Sequence, residues 1–353
     1  LGTRDCSLQR RNQKLVEEAP APFISDEQRE KIHSAARNIC AEAGYISAGT
    51  VEFLLSNNGA ISFLEVNTRL QVEHTVTEET TGVDLVIEQL RVADGLPLSI
   101  TATPAPRAHS IEFRINAEDV GRGFLPTPGP VVKFLPPSGP GVRVDSGVES
   151  GSIIPGTFDS MMAKLIVTGA TREQAMARAR RALREFQIEG VASVLPFHKA
   201  VMDHPDFVGT DGFKVHTRWI ESDFAEPLAA AVRAEPLADT SLLRTAIEID
   251  GRRVTLGLPA VLLQGLAAGA TGGVTAAAEK EAMDPAAVAS PIAGNLHAWK
   301  VADGDEVKEG DVIALMEAMK MEMQVSAHKA GRIALAAQAG TAQALGAVIA
   351  HIR

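Results

Sequence analysis

Two glutamates on either side of an Asn-Gly pair are the first residues in this chain whose spacing can do chemistry. Thr50 to Leu55 and Ile61 to Val66 are rich in strand formers, and Asn58-Gly59 between them is the strongest short signal for a two-residue type I′ hairpin turn. In such a hairpin, residues whose numbers sum to 117 lie opposite each other, which sets Glu52 against Glu65. Two carboxylates so placed repel, and strand pairing gains nothing from them. A divalent cation between them reverses that sign, and magnesium favours a few carboxylates together with phosphate oxygens. Past the turn the chain reads Glu65, Asn67, Arg69, Gln71, Glu73 at every second position, with Leu64, Val66, Leu70 and Val72 at alternate places. Period two puts the five polar groups on one face for as long as the backbone stays extended. A solvated strand face gives the same alternation. Both charge signs beside two amides suit an anion held next to a metal. Far downstream, Ala318-Met319-Lys320-Met321-Glu322 sets a lysine between two methionines. Methionines at a turn expose flexible apolar surface that normally belongs in a core, and an enzyme gripping the lysine would use it. A surface lysine beside two core methionines is the plainer alternative.

The elements that must position these groups leave their own marks. Ser25 with Gln28 three residues on is a capping box, and Ile32, Ala35, Ala36, Ile39 and Ala43 follow at helical spacing before Gly44. Thr171 with Gln174 predicts a second capping box, opening a helix with Ala175, Ala179, Ala182, Leu183 and Phe186 as its inner stripe. From about Phe224 to Pro285 alanine, glycine and proline dominate, which predicts a mobile tether holding one small hairpin from Thr245 to Leu258 around Asp250-Gly251.

With 353 residues the chain has room for two or three domains. A net charge of −10 argues against nucleic acid or an anionic membrane as partner. Cys6 and Cys40 are too few for a disulfide framework or structural zinc, and fit reduced thiols in a cytoplasmic protein. No apolar run is long enough to span a bilayer, and no signal peptide opens the chain. The histidines, His33, His74, His109 and His198 among them, show no ligand-like clustering.

The Met-Lys-Met turn resembles the acceptor hairpin of biotin carboxyl carrier domains, and its flanks strengthen the resemblance. Ser290-Pro291-Ile292-Ala293-Gly294-Asn295-Leu296 and Ser326-Ala327-His328-Lys329-Ala330-Gly331-Arg332-Ile333 look like two related half-motifs around Lys320. That is the layout of a flattened antiparallel barrel. A lipoyl carrier shares it but typically has Asp-Lys-Ala at the turn. The run from Phe63 to His74 with Val76-Thr77-Glu78 is similar to the signature of biotin carboxylase, an ATP-grasp enzyme. Arg4-Asp5-Cys6-Ser7-Leu8-Gln9-Arg10-Arg11, Gln13-Lys14 and Glu17 to Pro22 resemble its preceding segment. Arg114-Ile115-Asn116-Ala117-Glu118-Asp119, Phe124-Leu125-Pro126, Asp159-Ser160-Met161 and Lys164-Leu165 resemble the domain that follows. The wording is closest to alpha subunits of biotin-dependent acyl-CoA carboxylases of the actinobacterial type.

This resemblance implies an α+β chain. Residues 1–105 would form the C-terminal lobe of an ATP-grasp domain, 106–223 the biotin carboxylase C-terminal domain, 224–284 the tether and 285–353 an all-β biotinyl domain. It implies biotin on Lys320, and magnesium or manganese held by Glu52 and Glu65 with Asn67 beside them. Bicarbonate would be held by Lys14, Arg69, Gln71, the backbone of Val72 and Glu73. Glu73 would be the general base that readies bicarbonate to attack ATP, and Arg69 and Arg114 would stabilise negative charge developing on biotin. A separate carboxyltransferase beta subunit, within an oligomeric complex, would move the carboxyl group to an acyl-CoA, as in fatty acid biosynthesis, and a biotin protein ligase would load Lys320.

Asn12 stands where many relatives have His or Tyr, which puts its ATP contacts in question. Thr75 stands where Pro is usual, which would loosen the backbone near Glu73. The N-terminal domain and glycine-rich lid that the resemblance implies are not among these residues, so this piece alone would not turn over ATP. Two alternatives stay open: a non-catalytic biotinylated carrier and assembly protein, and another biotin-dependent carboxylase acting on pyruvate or urea.

Overall fold

The computed structural model describes residues 1–225, 227–231, 242–249, 252–259, 284–292, 294–318 and 321–353. They fall into two units, Leu1–Ala231 and Val232–Arg353. Among the described residues no helix is long and apolar enough to cross a membrane.

In the first unit, β1 (Asp5–Arg10) turns back into β2 (Gln13–Ala19) through Arg11 and Asn12, with Arg10 opposite Gln13. Both turn residues take positive φ, 47° and 66°, as a two-residue hairpin with a right-handed twist requires. Asparagine tolerates that conformation better than most residues, which accounts for Asn12 locally. Helix α1 (Asp26–Glu42) begins at the predicted capping box: Ser25 Oγ accepts from the Gln28 N–H at 3.1 Å, and Gln28 Oε1 from the Ser25 N–H at 2.8 Å. None of its residues is buried, so the predicted stripe is half-covered at best among the described residues.

Strands β3 (Thr50–Leu55) and β4 (Ile61–Asn67) form the next hairpin, followed by α2 (His74–Thr81), α3 (Leu85–Ala93) and β5 (His109–Asn116). Then come β6 (Val142–Ser146), β7 (Met161–Gly169), α4 (Arg172–Glu185) and α5 (Leu195–Val201). One antiparallel sheet in the order β1-β2-β5-β7-β6 organises the unit. Its strands alternate two kinds of residue. One face carries Val16, Ile111, Phe113 and Leu165, all buried, and α4 packs on it with Ala175, Ala179, Ala182 and Leu183 fully buried. The other face carries Glu17, Glu112, Arg114 and Lys164 and lies under α2, where Val76 meets Ala19 and Ile166. The second capping box forms only half-way: Thr171 Oγ1 accepts from the Gln174 N–H, but Gln174 Oε1 takes the N–H of Ala170, one residue before the cap.

In the second unit, β8 (Leu242–Ile249) pairs with β9 (Arg252–Pro259), Ile249 opposite Arg252, so the hairpin is longer at both open ends than predicted. Asp250-Gly251 and most of the predicted tether lie outside the described residues. The remaining strands are β10 (Ala287–Ala289), β11 (Gly294–Trp299), β12 (Glu306–Val307), β13 (Val312–Ala318), β14 (Met321–Ser326), β15 (Gly331–Leu335), β16 (Ala342–Gln343) and β17 (Val348–Ile352). They make two four-stranded sheets, β10-β17-β15-β12 and β14-β13-β11-β16. Ile292, Leu296, Ile313, Met316, Ile333 and Ile352 are buried within this all-β body. Ala318 pairs with Met321, so the sequence leaves two residues, Met319 and Lys320, to join β13 to β14. Both lie outside the described residues. At Gly294 an added Cβ would sit 2.4 Å from the carbonyl oxygen of Glu317, so β11 passes β13 this closely only with glycine there.

Candidate active site

Glu52 does lie opposite Glu65, but not through the turn that the sequence suggested. Ser56 and Ala60 close the loop, the Gly59 N–H bonds to Ser56 O, and only Gly59 takes positive φ (83°). The connection is therefore a three-residue loop, a tight turn followed by a left-handed glycine. Near the turn the pairs sum to 116, as in Leu55 with Ile61. A register shift between the Glu52 and Phe53 pairs, at Leu64, restores 117. The loop and the bulge cancel, leaving the glutamates face to face.

One oxygen of Glu52 collects three donors. Oε1 accepts from Lys14 Nζ at 2.7 Å, Gln71 Nε2 at 2.8 Å and Asn67 Nδ2 at 3.1 Å. Asn67 Nδ2 also donates to Glu65 Oε1 at 2.9 Å, so one amide spans both carboxylates. Gln71 is fixed in turn by Arg4, whose Nη2 reaches its Oε1 at 2.6 Å. Asn67 and Gln71 of the predicted polar face thus converge on Glu52, although the regular strand ends at Asn67.

Glu73 sits at the N-terminal cap of α2 and is buried, 2% exposed. Its Oε1 accepts from Lys14 Nζ at 2.9 Å and its Oε2 from Arg114 Nη2 at 3.1 Å. Burial pushes this carboxyl upward, but the charges of Lys14 and Arg4 and the Lys14 hydrogen bond outweigh it and hold Glu73 below its usual range. Glu73 is therefore an anion at neutral pH, ready to accept a proton. Lys14 bridges the two halves of the site, from Glu52 to Glu73. Arg114 bridges Glu73 to a second buried carboxylate, Glu17, with Nε 2.7 Å from Oε1.

Two predicted residues stand apart. The exposed Arg69 side chain bonds to Asn67 Oδ1 at 3.4 Å and Leu70 O at 3.3 Å, pointing at neither Glu73 nor Arg114. The carbonyl of Val72 is taken by Lys164 Nζ at 2.8 Å, which leaves its N–H as the backbone group for a ligand. Arg4, Glu17, Glu112 and Lys164 were missed. For Glu17, Glu112 and Lys164 the signal is visible in retrospect as charged residues inside strands that otherwise read as core, such as Ile111-Glu112-Phe113-Arg114-Ile115; Arg4 precedes β1 and carries no such signal. Nor does Thr75 loosen the site. It is fully buried, and its hydroxyl donates to Glu112 Oε2.

The donor chemistry fits a hard divalent ion. Glu52 and Glu65 offer carboxylate oxygens beyond those bound by Asn67 and Lys14, and such oxygens suit magnesium or manganese. Among the described residues no group of three or more acidic, His or Cys side chains forms a metal site. Two carboxylates therefore need phosphate oxygens or water to complete a shell.

Three family descriptions match the chain in order: the carbamoyl-phosphate synthase L chain ATP binding domain over residues 1–101, the biotin carboxylase C-terminal domain over 112–222, and the biotin-requiring enzyme domain over 286–352. The whole chain is 54% identical to the biotin-dependent acyl-coenzyme A carboxylase alpha3 subunit of Mycobacterium leprae, covering 61% of that protein. Over 59% of the chain it is 50% identical to the biotin carboxylase of Nostoc, covering 47% of it. The chain thus spans about half to three-fifths of these relatives' length. Among solved structures, the Campylobacter jejuni biotin carboxylase complex superposes with a TM-score of 0.59 at 40% identity, over 62% of this chain and 48% of that one. The biotin carboxylase domain of a thermophilic 2-oxoglutarate carboxylase bound to bicarbonate gives 0.59 at 44%, over 62% and 49%. A buried carboxylate clamped between lysine and arginine, an opposed glutamate pair and an all-β C-terminal body agree with these matches: the chain is similar to biotin-dependent carboxylases, and over its whole length to an acyl-coenzyme A carboxylase alpha subunit.

Proposed function

We propose that the protein carrying this chain carboxylates biotin attached to Lys320, using ATP and bicarbonate, and that a separate carboxyltransferase subunit passes the carboxyl group to an acyl-CoA. The observation that carries this reading is the buried Glu73 anion held between Lys14 and Arg114, next to Glu52. Lys14, Gln71 and the Val72 N–H would bind and orient bicarbonate, with Arg69 closing over it from the exposed side. Glu73 would take the bicarbonate proton on a carboxylate oxygen, leaving the bicarbonate oxygen free to attack the γ-phosphate of ATP. Glu52 and Glu65, with Asn67, would hold magnesium or manganese, which supplies charge stabilisation to the phosphates when bound. Arg114, fixed by Glu17, and Arg69 would present positive charge toward the biotin ring. Domain limits at 105, 223 and 284 follow from the same reading. So do a cytoplasmic setting, a biotin protein ligase that loads Lys320, and an oligomeric complex with the carboxyltransferase.

Two measurements test it. Co-expression with a biotin ligase should add one biotin to the chain by intact mass, and Lys320→Arg should abolish it; labelling that persists refutes the acceptor. In a protein spanning the full length of the relatives, Glu73→Gln should lower bicarbonate-dependent ATP cleavage by about 10²–10⁴-fold while leaving Lys320 biotinylated. Wild-type cleavage in that variant removes Glu73 from the mechanism.

A further inference from the structure

Behind Glu73 lies a pair of carboxyl groups that the proposed chemistry does not use. Glu17 on β2 and Glu112 on β5 are directly opposed across the sheet, both are fully buried, and both lie on the face covered by α2. Glu17 Oε1 accepts from Arg114, and Glu112 Oε2 accepts from Thr75. The other two oxygens, Glu17 Oε2 and Glu112 Oε1, are buried and without a hydrogen-bond partner among the described residues. A buried polar atom left this way costs about 1–3 kcal/mol, and more when charged. Two such acceptors on facing residues cost twice that, unless a proton lies between them.

We propose that Glu17 and Glu112 share one proton, carried on Glu112 Oε1 and donated to Glu17 Oε2, and that this proton makes Glu112 and Thr75 positioning residues for Glu73. Arg114 decides which partner is the anion. It bonds to Glu17 at 2.7 Å, while the nearest cation to Glu112 is Lys164, 4.0 Å away and already bonded to Val72 O. The protonated Glu112 then offers its carbonyl oxygen to the Thr75 hydroxyl, so all four oxygens of the pair are satisfied. Burial is the largest influence on both groups and pushes both upward, with Glu112 also raised by Glu17. The charge count follows. With one proton the pair carries one negative charge, matched by Arg114, while Lys14 and Arg4 face Glu73 and Lys14 also pairs with Glu52. Without it, the pair would draw Arg114 away from Glu73. The other charged groups around the pair are Lys14 and Glu73 near its β2 side, Lys164 on β7, Asp145 and Arg143 on β6, and His74 and Glu78 on α2; Asp145 lies 3.8 Å from Lys164, and Arg143 is paired with Asp145 and Glu78. The consequence for Glu73 rests on its reading as the base; the shared proton does not.

The test is ¹³C NMR of the whole chain labelled at glutamate carboxyls, titrated from pH 5 to 9. One carboxyl resonance should stay in the protonated position through neutrality and titrate above it. Glu112→Gln, whose amide can donate to Glu17 Oε2, should remove that resonance. Thr75→Val should raise its midpoint by about one pH unit, since it deletes a donor to the anionic form; this variant identifies the resonance even if Glu112→Gln does not fold. The Glu73 resonance, assigned by its loss in Glu73→Gln, should show an inflection at the same midpoint and lose it in Glu112→Gln. If every glutamate has finished titrating by about pH 6, the pair is a dianion and the proposal is overturned. If the proton is present but Glu73 shows no inflection, the positioning role is overturned. Neither result depends on ATP cleavage, so failure of the carboxylase reading is seen separately.

Discussion

Replacing Arg114 by methionine should destabilise the first unit far more than removing any exposed charge. The side chain is 14% exposed and holds two buried carboxylates, Glu17 and Glu73, at 2.7 and 3.1 Å. Methionine fills much of the volume but strands the buried Glu17 anion, leaving Glu73 with Lys14 alone of its two bonded cations, and breaking a buried pair from one side costs about 3–5 kcal/mol. At about 2–4 °C per kcal/mol for a unit of this size, the melting temperature should fall by roughly 6–20 °C. The pH dependence gives a second signature. In the variant Glu17 loses its bonded cation, so its carboxyl, already raised to about 7 by burial, moves further up, while Lys14 and Arg4 still hold Glu73 down. The Glu17 contribution is then intact below the ordinary carboxylate range and is lost as pH rises through the raised value. The deficit against wild type should therefore be small near pH 5 and larger at pH 8. The chain has two tryptophans, and in a Trp299→Phe background fluorescence during urea unfolding reports the buried Trp219 of the first unit alone. Arg69→Met, at an exposed site, is the control and should stay within about 0.5 kcal/mol of wild type. An Arg114→Met protein within about 1 kcal/mol of wild type at pH 8, or with a deficit unchanged from pH 5 to 8, refutes the reasoning.

His198 is fully buried, bonds to the carbonyl of Arg114 at 2.8 Å and is pushed down to about 4 by burial. A base depressed on folding contributes stability above its unfolded value and loses it as pH falls, here about 3 kcal/mol between pH 6.5 and 4; urea midpoints of His198→Gln should lack that slope. Gly294→Ala should cost the second unit about 1–3 kcal/mol, read from Trp299 in a Trp219→Phe background, because the new Cβ meets the Glu317 carbonyl. Manganese, followed by its electron paramagnetic resonance in a protein of full family length, should bind at Glu52 and Glu65 only with ATP present, and Glu65→Gln should weaken it. Tight binding without nucleotide would show that the two carboxylates need no phosphate.

Local signals served the sequence reading well where the determinant is local. The Ser25 box, the α4 stripe and the opposition of Glu52 to Glu65 are all present. The last was right for an incomplete reason. Asn-Gly marks a reversal, but its loop length and the bulge at Leu64 depend on how the two strands twist together. What the sequence concealed is the company around Glu73. Lys14 and Arg114 are named through the family resemblance alone, and Glu17 and Glu112 not at all as site residues; the four meet only because β2 pairs with β5, nearly a hundred residues away, and no periodicity within either strand reveals that neighbour. The α1 stripe shows the opposite failure. Its spacing is helical and its helix forms, yet pattern alone does not say whether a partner covers it.

The pairing of Ala318 with Met321 also has a consequence for how this gene can change. Strand residues alternate between core and solvent, so inserting or deleting one codon within β13 or β14 would exchange the inner and outer sets beyond that point. Ala314, Met316 and Ala318 would move out of the core, or the lysine codon would lose its place at the strand junction. Base substitutions at exposed positions such as Glu322 and Gln324 change neither count. Across descendants of this sequence, the stretch from Val312 to Ser326 should therefore vary in its letters and not in its length.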